Sequence, residues 1–167
     1  MSRTHLLVRG DHFLTFFRNI MKYHVIQEIT FEFVFIENLI YSNNLQKLQK
    51  LKNLRALNFK HNNLKNYIDL IEFENQQFLS RLSIAHNPIT DCYLLRYFVF
   101  YRFSNLSHFN GSAKTQKEVQ TTKSIYYKFD RSLQEESVFN FDEGEGEGLE
   151  IWRSVAEMGC EMYEVET

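Results

Sequence analysis

The sequence of 167 residues is poor in cysteine and proline and has no long apolar run. Its two cysteines, Cys92 and Cys160, are too few for a disulfide framework. The longest apolar stretch, residues 97–101, is far shorter than the ~20 residues that span a bilayer. Charged residues interrupt residues 1–25, unlike a signal peptide. These absences predict a cytoplasmic protein without a membrane partner, with the cilium, the cytoskeleton or the nucleus as alternative settings.

Motifs of catalysis are absent as well. The chain has no nucleophile elbow, Walker loop, dinucleotide fingerprint, H-E-x-x-H or C-x-x-C. Residues 144–148 alternate glycine with glutamate, whose carboxylates repel phosphate, so the stretch is typical of a flexible acidic linker. We therefore expect no enzyme, no cofactor, and no catalytic or metal-binding residue.

The sequence does have an ordinary globular composition with an uneven distribution of charge. Hydrophobic residues make up 44% and charged residues 24% of the chain, values at which a single domain with one core is expected. Residues 1–139 contain 18 Lys and Arg against 12 Asp and Glu, whereas residues 140–167 contain one Arg against nine acids. A mildly basic body is therefore followed by a strongly acidic tail.

Two segments, 54–64 and 79–89, repeat the template L-x-x-L-x-L-x-x-N-x-L with an offset of 25 residues. Phe59 replaces one leucine, and Asn62 and Asn87 fill the polar position. The alternating apolar residues predict a short parallel strand in each repeat. The two asparagine amides are expected to bond turn backbone and link neighbouring coils, so that the core is built by stacking.

The segment before these repeats, residues 1–35, predicts either an N-terminal cap or a degraded repeat. It contains a helical apolar spacing and a strand-like alternation. The first comprises Phe13, Phe16, Phe17, Ile20 and Met21, and the second Phe31, Phe33 and Phe35. A poorer third copy of the repeat is predicted just after it, with Ile36, Leu39, Tyr41 and Asn44 in template positions.

Several unlike elements follow the last repeat in a distinctive order. Asn87-Pro88-Ile89-Thr90 comes first, an aromatic segment at 94–103 follows, and Asn105-Leu106 and Phe109-Asn110-Gly111 come last. This order resembles the C-terminal cap of leucine-rich-repeat (LRR) proteins, in the subfamily of phosphatase-1 regulators, U2 spliceosomal LRR subunits and axonemal LRR proteins. The resemblance implies an α/β fold, a short solenoid with parallel strands on its concave face and a helix that covers the open core.

The resemblance also divides the chain. Residues 36–111 are expected to hold the repeats and the cap, residues 112–136 a post-cap helix, and residues 137–167 an acidic, flexible tail. Apolar residues recur at helical intervals in the tail, and Trp152, Val155 and Met158 are the candidate docking motif. Self-association of the tail with the basic body and plain disorder are the alternatives.

LRR proteins usually bind their ligands on the concave sheet, at positions between the inward-facing leucines. These positions are Asn58, Lys60, Arg81, Ser83 and Ala85, with Asn38 and Ile40 added by the third copy. The plain alternative is a solvated surface without a partner. Lys60 and Arg81 on neighbouring coils predict a protein partner with an acidic surface.

His61 and His86 occupy the same template slot in consecutive repeats, which predicts imidazoles ~5 Å apart. Because a stable zinc site needs three or four ligands, ordinary solvent-facing histidines are the favoured interpretation.

These patterns predict a non-catalytic protein-interaction scaffold, in a ciliary or cytoskeletal complex. A ribonucleoprotein subunit and a phosphatase regulatory subunit are the alternatives. Direct contact with nucleic acid is not expected, because the body has no arginine-rich stripe and no aromatic RNA-binding motif.

Overall fold

A computed structural model describes residues 4–10, 12–40, 44–65, 67–76, 78–92 and 94–126. Its strands are β1 (His5–Arg9), β2 (Glu28–Glu32), β3 (Ala56–Lys60), β4 (Arg81–Ser83), β5 (His108–Phe109) and β6 (Ser112–Ala113). They form one sheet in chain order, in which β1 to β5 are parallel and β6 runs antiparallel to β5.

Short helices connect the strands. They are α1 (His12–Arg18), α2 (Ile36–Ile40), α3 (Asn44–Leu48), α4 (Ile68–Ile71) and α5 (Leu95–Arg102), with 3₁₀ turns at Ile20–Tyr23 and Pro88–Asp91. Residues 116–126 are also helical. No helix of the described part is both long and apolar enough to cross a membrane.

The two strong repeats form adjacent coils, as predicted. Leu57 of β3 pairs with Leu82 of β4, which is the offset of 25 residues seen in the sequence. Leu57 and Leu82 are buried, and so are Phe59 and Ile84, two residues further on. The apolar period of two therefore points one face of each strand into the core.

The prediction of a third copy of the repeat at residues 36–44 is wrong, because the first residues of this segment form α2 rather than a strand. The coil before β3 contains β2, in which Ile29 pairs with Leu57 and Phe31 with Phe59. The template positions of this coil are all buried and are filled by Ile26, Ile29, Phe31, Val34 and Ile36. Valine in the slot of the asparagine explains why the repeat is hard to see in the sequence.

The first 35 residues continue the sheet, since β1 pairs with β2 over all five residues. The helical spacing is real: in α1 and the following 3₁₀ turn, Phe13, Phe16, Phe17 and Ile20 are buried, although Met21 is exposed. The strand-like alternation ends at Glu32, however. Phe33 has a left-handed backbone (φ 56°), which turns the chain out of the strand, and Phe35 is exposed.

Asn62 and Asn87 link the coils through buried side-chain amides. Asn62 Oδ1 accepts a hydrogen bond from Val34 N (2.8 Å), and Asn87 Oδ1 accepts from Asn62 N (2.9 Å) and Leu64 N (3.2 Å). Asn87 Nδ2 donates back to Phe59 O (3.0 Å). Each asparagine thus satisfies turn backbone in the preceding coil, which confirms the role predicted for it.

The far end of the core is covered by α5, whose Leu95, Phe98, Val99 and Phe100 are buried. The helical residues 116–126 lie against it, since the rings of Tyr126 and Tyr101 stack 4.9 Å apart. Phe129 and Leu133, also predicted in the post-cap helix, lie outside the described residues.

Arg96 fastens the cap to the segments that follow it. Its guanidinium donates to Phe109 O (3.2 Å) and Ala113 O (2.9 Å), and it pairs with Glu118. Glu118 also accepts from Thr115 N (2.8 Å), while Thr115 Oγ1 accepts from Glu118 N (3.2 Å). Thr115 and Glu118 therefore form a capping box, a T-x-x-E signal readable from the sequence.

The hydrogen bond from Arg96 is the largest cause that, together with the bonds from Thr115 and against the opposing effect of burial, lowers the pKa of Glu118 to about 2. Because the folded pKa lies below the ordinary value of 4.5, the contribution to stability is present above pH 4.5 and is lost as pH falls towards 2. We expect Glu118→Gln to cost about 1 kcal/mol at pH 7 and much less at pH 2. Thermal midpoints of both proteins across this range measure the difference. An equal difference at both ends would show that the carboxylate charge does not hold the cap.

Candidate functional site

Strand register arranges the outward side chains of the concave sheet in rows across the coils. The first row is His5, Glu28, Ala56, Arg81 and His108, the second is Leu7, Thr30, Asn58 and Ser83, and the third is Arg9, Glu32 and Lys60. Each row runs perpendicular to the strands with about 4.8 Å between neighbours. Four of the predicted binding residues, Asn58, Lys60, Arg81 and Ser83, therefore lie on this face.

A polar network joins the first two rows. Asn58 Nδ2 donates to Glu28 Oε1 (2.9 Å) and Thr30 Oγ1 (3.1 Å), and Thr30 Oγ1 lies 2.8 Å from His5 Nε2. Arg81 Nη2 lies 3.5 Å from Glu28 Oε2. Each of these side chains has its position set by a neighbour on another coil, so the surface is held in a defined shape before any ligand arrives.

Lys60 and Arg81 do not form the predicted positive pair. Arg81 aligns with Ala56, four residues before Lys60, which separates the two positions by ~13 Å along the strand direction. Glu28 lies beside Arg81, and Glu32 lies beside Lys60 while also bonding Arg9 at 2.5 Å. The charges of this face are mixed, so the face does not favour a partner with an acidic surface.

A cavity of about 210 Å³ opens at the Arg81 end of the network. Its walls are Glu28, Ala56, Asn58, Arg81, Leu82, Ser83, His108 and Gly111. Three of the predicted binding residues line it, and Lys60 does not. Glu28 and His108 are wall residues that the sequence did not suggest, because their coils lack the full repeat template.

Asn38 and Ile40 are not part of the concave face, contrary to the prediction. Both belong to α2, which connects β2 to the next coil, and Ile40 packs against the core. Ala85 follows β4 and is half-buried. The tail residues Trp152, Val155 and Met158 lie outside the described residues.

His61 and His86 stack with ring centroids 4.7 Å apart, close to the predicted distance. Phe33 extends the stack, with its ring 5.1 Å from that of His61, since it occupies the same slot one coil earlier. All three residues have a left-handed backbone, one to three positions after their strands end, with φ between 54° and 60°. Among the described residues, no three His, Cys, Asp or Glu side chains are grouped to hold a metal ion.

Comparison with solved structures identifies the fold. The chain is similar to a chain of the SNF/U2A′ complex of Drosophila melanogaster (TM-score 0.50, 19% identity), covering 61% of this chain and 56% of that one. It is also similar to a chain of the Mex67:Mtr2 subunits of Chaetomium (TM-score 0.51, 19% identity), covering 70% of this chain and 87% of that one. The Mex67 LRR domain of Chaetomium thermophilum is a third match (TM-score 0.50, 21% identity), covering 69% of this chain and 81% of that one.

These similarities and the parallel coils show that the chain has a leucine-rich-repeat fold, a short α/β solenoid. The chain spans little more than half of the first matched structure. No protein-family model and no curated protein sequence matches it.

Proposed function

We propose that the chain is a non-catalytic protein-binding module that holds a protein partner on its concave face. The observation that carries this proposal is the cavity over β2 to β4, where Glu28, Asn58 and Arg81 are fixed by mutual hydrogen bonds and an ion pair. A preformed polar surface with a central cavity provides both positioning and specificity at modest entropic cost. Two of the similar structures are complexes of two named proteins, which supports a protein partner.

We propose that a side chain of the partner enters the cavity, where it meets Asn58, Arg81 and Ser83 among the lining residues. Lys60 lies one row beyond Asn58 and Ser83, about 7 Å further along the strands, and contacts the partner at the edge of the interface. We therefore place the strongest contacts at Asn58, Arg81 and Ser83, and a weaker, salt-sensitive contact at Lys60.

Affinity capture by the full chain, followed by quantitative mass spectrometry, tests this proposal. We expect Ser83→Arg, which fills the cavity, and Arg81→Glu to weaken a specific partner by about 30-fold, the loss typical of a central contact. Lys65→Glu, an exposed charge reversal outside the concave sheet, is the control and should leave capture unchanged. Partners that resist both concave variants would overturn the site.

A ribonucleoprotein subunit is the second candidate, favoured by the similarity to the SNF/U2A′ complex. The mixed charges of the concave face still point to contact with a protein rather than with RNA. We propose the cytoplasm, including cilium or cytoskeleton, as the setting of the scaffold. RNA binding at low salt that weakens steeply as salt rises would favour the ribonucleoprotein alternative.

A further inference from the structure

A second cavity, of about 250 Å³, lies away from the concave site, between the loops that lead into β3 and β4. Leucine side chains of the core reach its floor, and Phe78 stands at its side with 45% of its surface exposed. The lining residues are Leu48, Gln49, Leu51, Lys52, Leu54, Asn75, Gln76, Phe78 and Leu79. We call this cavity the loop groove. An exposed phenylalanine over a leucine floor is a surface that an apolar side chain can cover.

The rim of the loop groove is positively charged on one side. Residues 44–55 contain four basic residues and no acidic one, and Lys52 among them lines the groove. Lys52 Nζ and the Arg55 guanidinium carbon lie 5.3 and 5.7 Å from the centre of the Phe78 ring. Glu74, on the facing loop, is paired with Arg102 (2.7 Å) and does not offset this charge. The groove therefore combines an apolar floor with a cationic edge, which suits an acidic segment that carries an apolar anchor.

We propose that the loop groove binds the chain's own acidic tail, residues 140–167, with Trp152 as the apolar anchor. This segment contains nine acidic residues and one Arg, and Trp152 lies between Glu150 and Glu157 along it. The charge of the tail is opposite to that of the rim, and its apolar residues match the floor. The structure thereby favours self-association among the interpretations that the sequence left open.

The length of the chain permits this contact. Trp152 follows the last described residue, Tyr126, by 26 positions, which span at most ~85 Å. The six strands extend over only ~24 Å across the sheet. A tether within one chain also supplies an effective concentration on the order of millimolar, so even a weak groove is occupied. A partner that binds the tail then competes with the body.

Trp152 is the only tryptophan of the chain, so its fluorescence reports on the tail of the intact protein. We expect a blue-shifted emission and protection from acrylamide, a neutral quencher that the acidic residues do not repel. Lys50→Glu with Lys52→Glu, both exposed positions, should shift the emission to the red and raise the quenching constant severalfold. Phe78→Ser should do the same. Salt near 1 M, where the Debye length is about 3 Å, should weaken the protection.

Lys65→Glu with Lys117→Glu is the matched control, because both positions are exposed, lie outside both proposed sites, and give an equal change in net charge. Circular dichroism verifies that each variant is folded. Protection that disappears only in the groove variants and is independent of protein concentration supports the proposal. A solvent-exposed Trp152 in the unmodified protein, equal loss in the control, or protection that requires high concentration, as for a second copy, would overturn it.

Discussion

Replacing Asn87 with alanine is expected to lower the free energy of unfolding by about 3–5 kcal/mol. The side chain is 4% exposed and its Oδ1 atom is the acceptor for two backbone N–H groups, those of Asn62 and Leu64. Its Nδ2 group donates to Phe59 O and to Ile84 O (2.8 Å). Alanine leaves these groups without their partner, and each buried polar group left unpaired costs ~1–3 kcal/mol. Chemical denaturation followed by circular dichroism measures the loss.

Two further asparagines calibrate this prediction. Asn62 is also buried but accepts from one backbone group, Val34 N, and donates to Phe31 O (2.9 Å), so Asn62→Ala should cost less than Asn87→Ala. Asn75 is exposed, and its replacement by alanine should stay within ~0.5 kcal/mol. A smaller loss for Asn87→Ala than for Asn62→Ala would contradict the view that stability follows the number of backbone groups satisfied.

The repeats that could be predicted from the sequence are those with asparagine at the polar position of the template. Asn62 and Asn87 fix the register of the template, and β3 and β4 follow from it. The coil of β2 carries Val34 in this slot, and its N–H donates to Asn62 Oδ1 just as Asn62 N donates to Asn87 Oδ1. The hydrogen bond between two coils therefore needs only the asparagine of the later coil, and valine at this position of the earlier coil leaves it intact. A template that demands asparagine in every coil does not detect such a coil.

The concave positions were predictable for the same reason, and only in part. The alternation of β3 and β4 gives Asn58, Lys60, Arg81 and Ser83 as outward residues. The side chains that bond Asn58 are Glu28 and Thr30. Both belong to β2, whose coil was not predicted from the sequence. The register of β3 with β4 already separates Lys60 from Arg81, and β2 adds a carboxylate beside Arg81. The electrostatics of a stacked surface depends on every coil, so one missed coil changes the charge inferred for its neighbours.

Replacing Phe59 with alanine is expected to destabilise the fold by about 3–5 kcal/mol. The ring is fully buried at the centre of the stack, 5.6 Å from the ring of Phe31 in the preceding coil and 4.9 Å from that of Phe73. Alanine leaves a cavity between two coils that each bury the other, and removes two ring contacts worth ~0.5–1.5 kcal/mol each. Denaturant titration measures the change. Phe35→Ala, at a position 73% exposed, is the control and should stay within ~0.5 kcal/mol.

The Phe59→Leu variant distinguishes the contribution of core packing from that of the concave side chains. Leucine is the usual residue of the template at this position, so Phe59→Leu should cost only about 1 kcal/mol. Asn58 and Lys60 flank Phe59 on the concave side, and their positions depend on the strand that Phe59 anchors. We therefore expect Phe59→Leu to retain the partner that the concave face binds, whereas Ser83→Arg loses it with little change in stability. Loss of the partner by a folded Phe59→Leu variant would contradict this expectation. The interface would then depend on the packing of the coil, and the outward side chains alone would not account for binding.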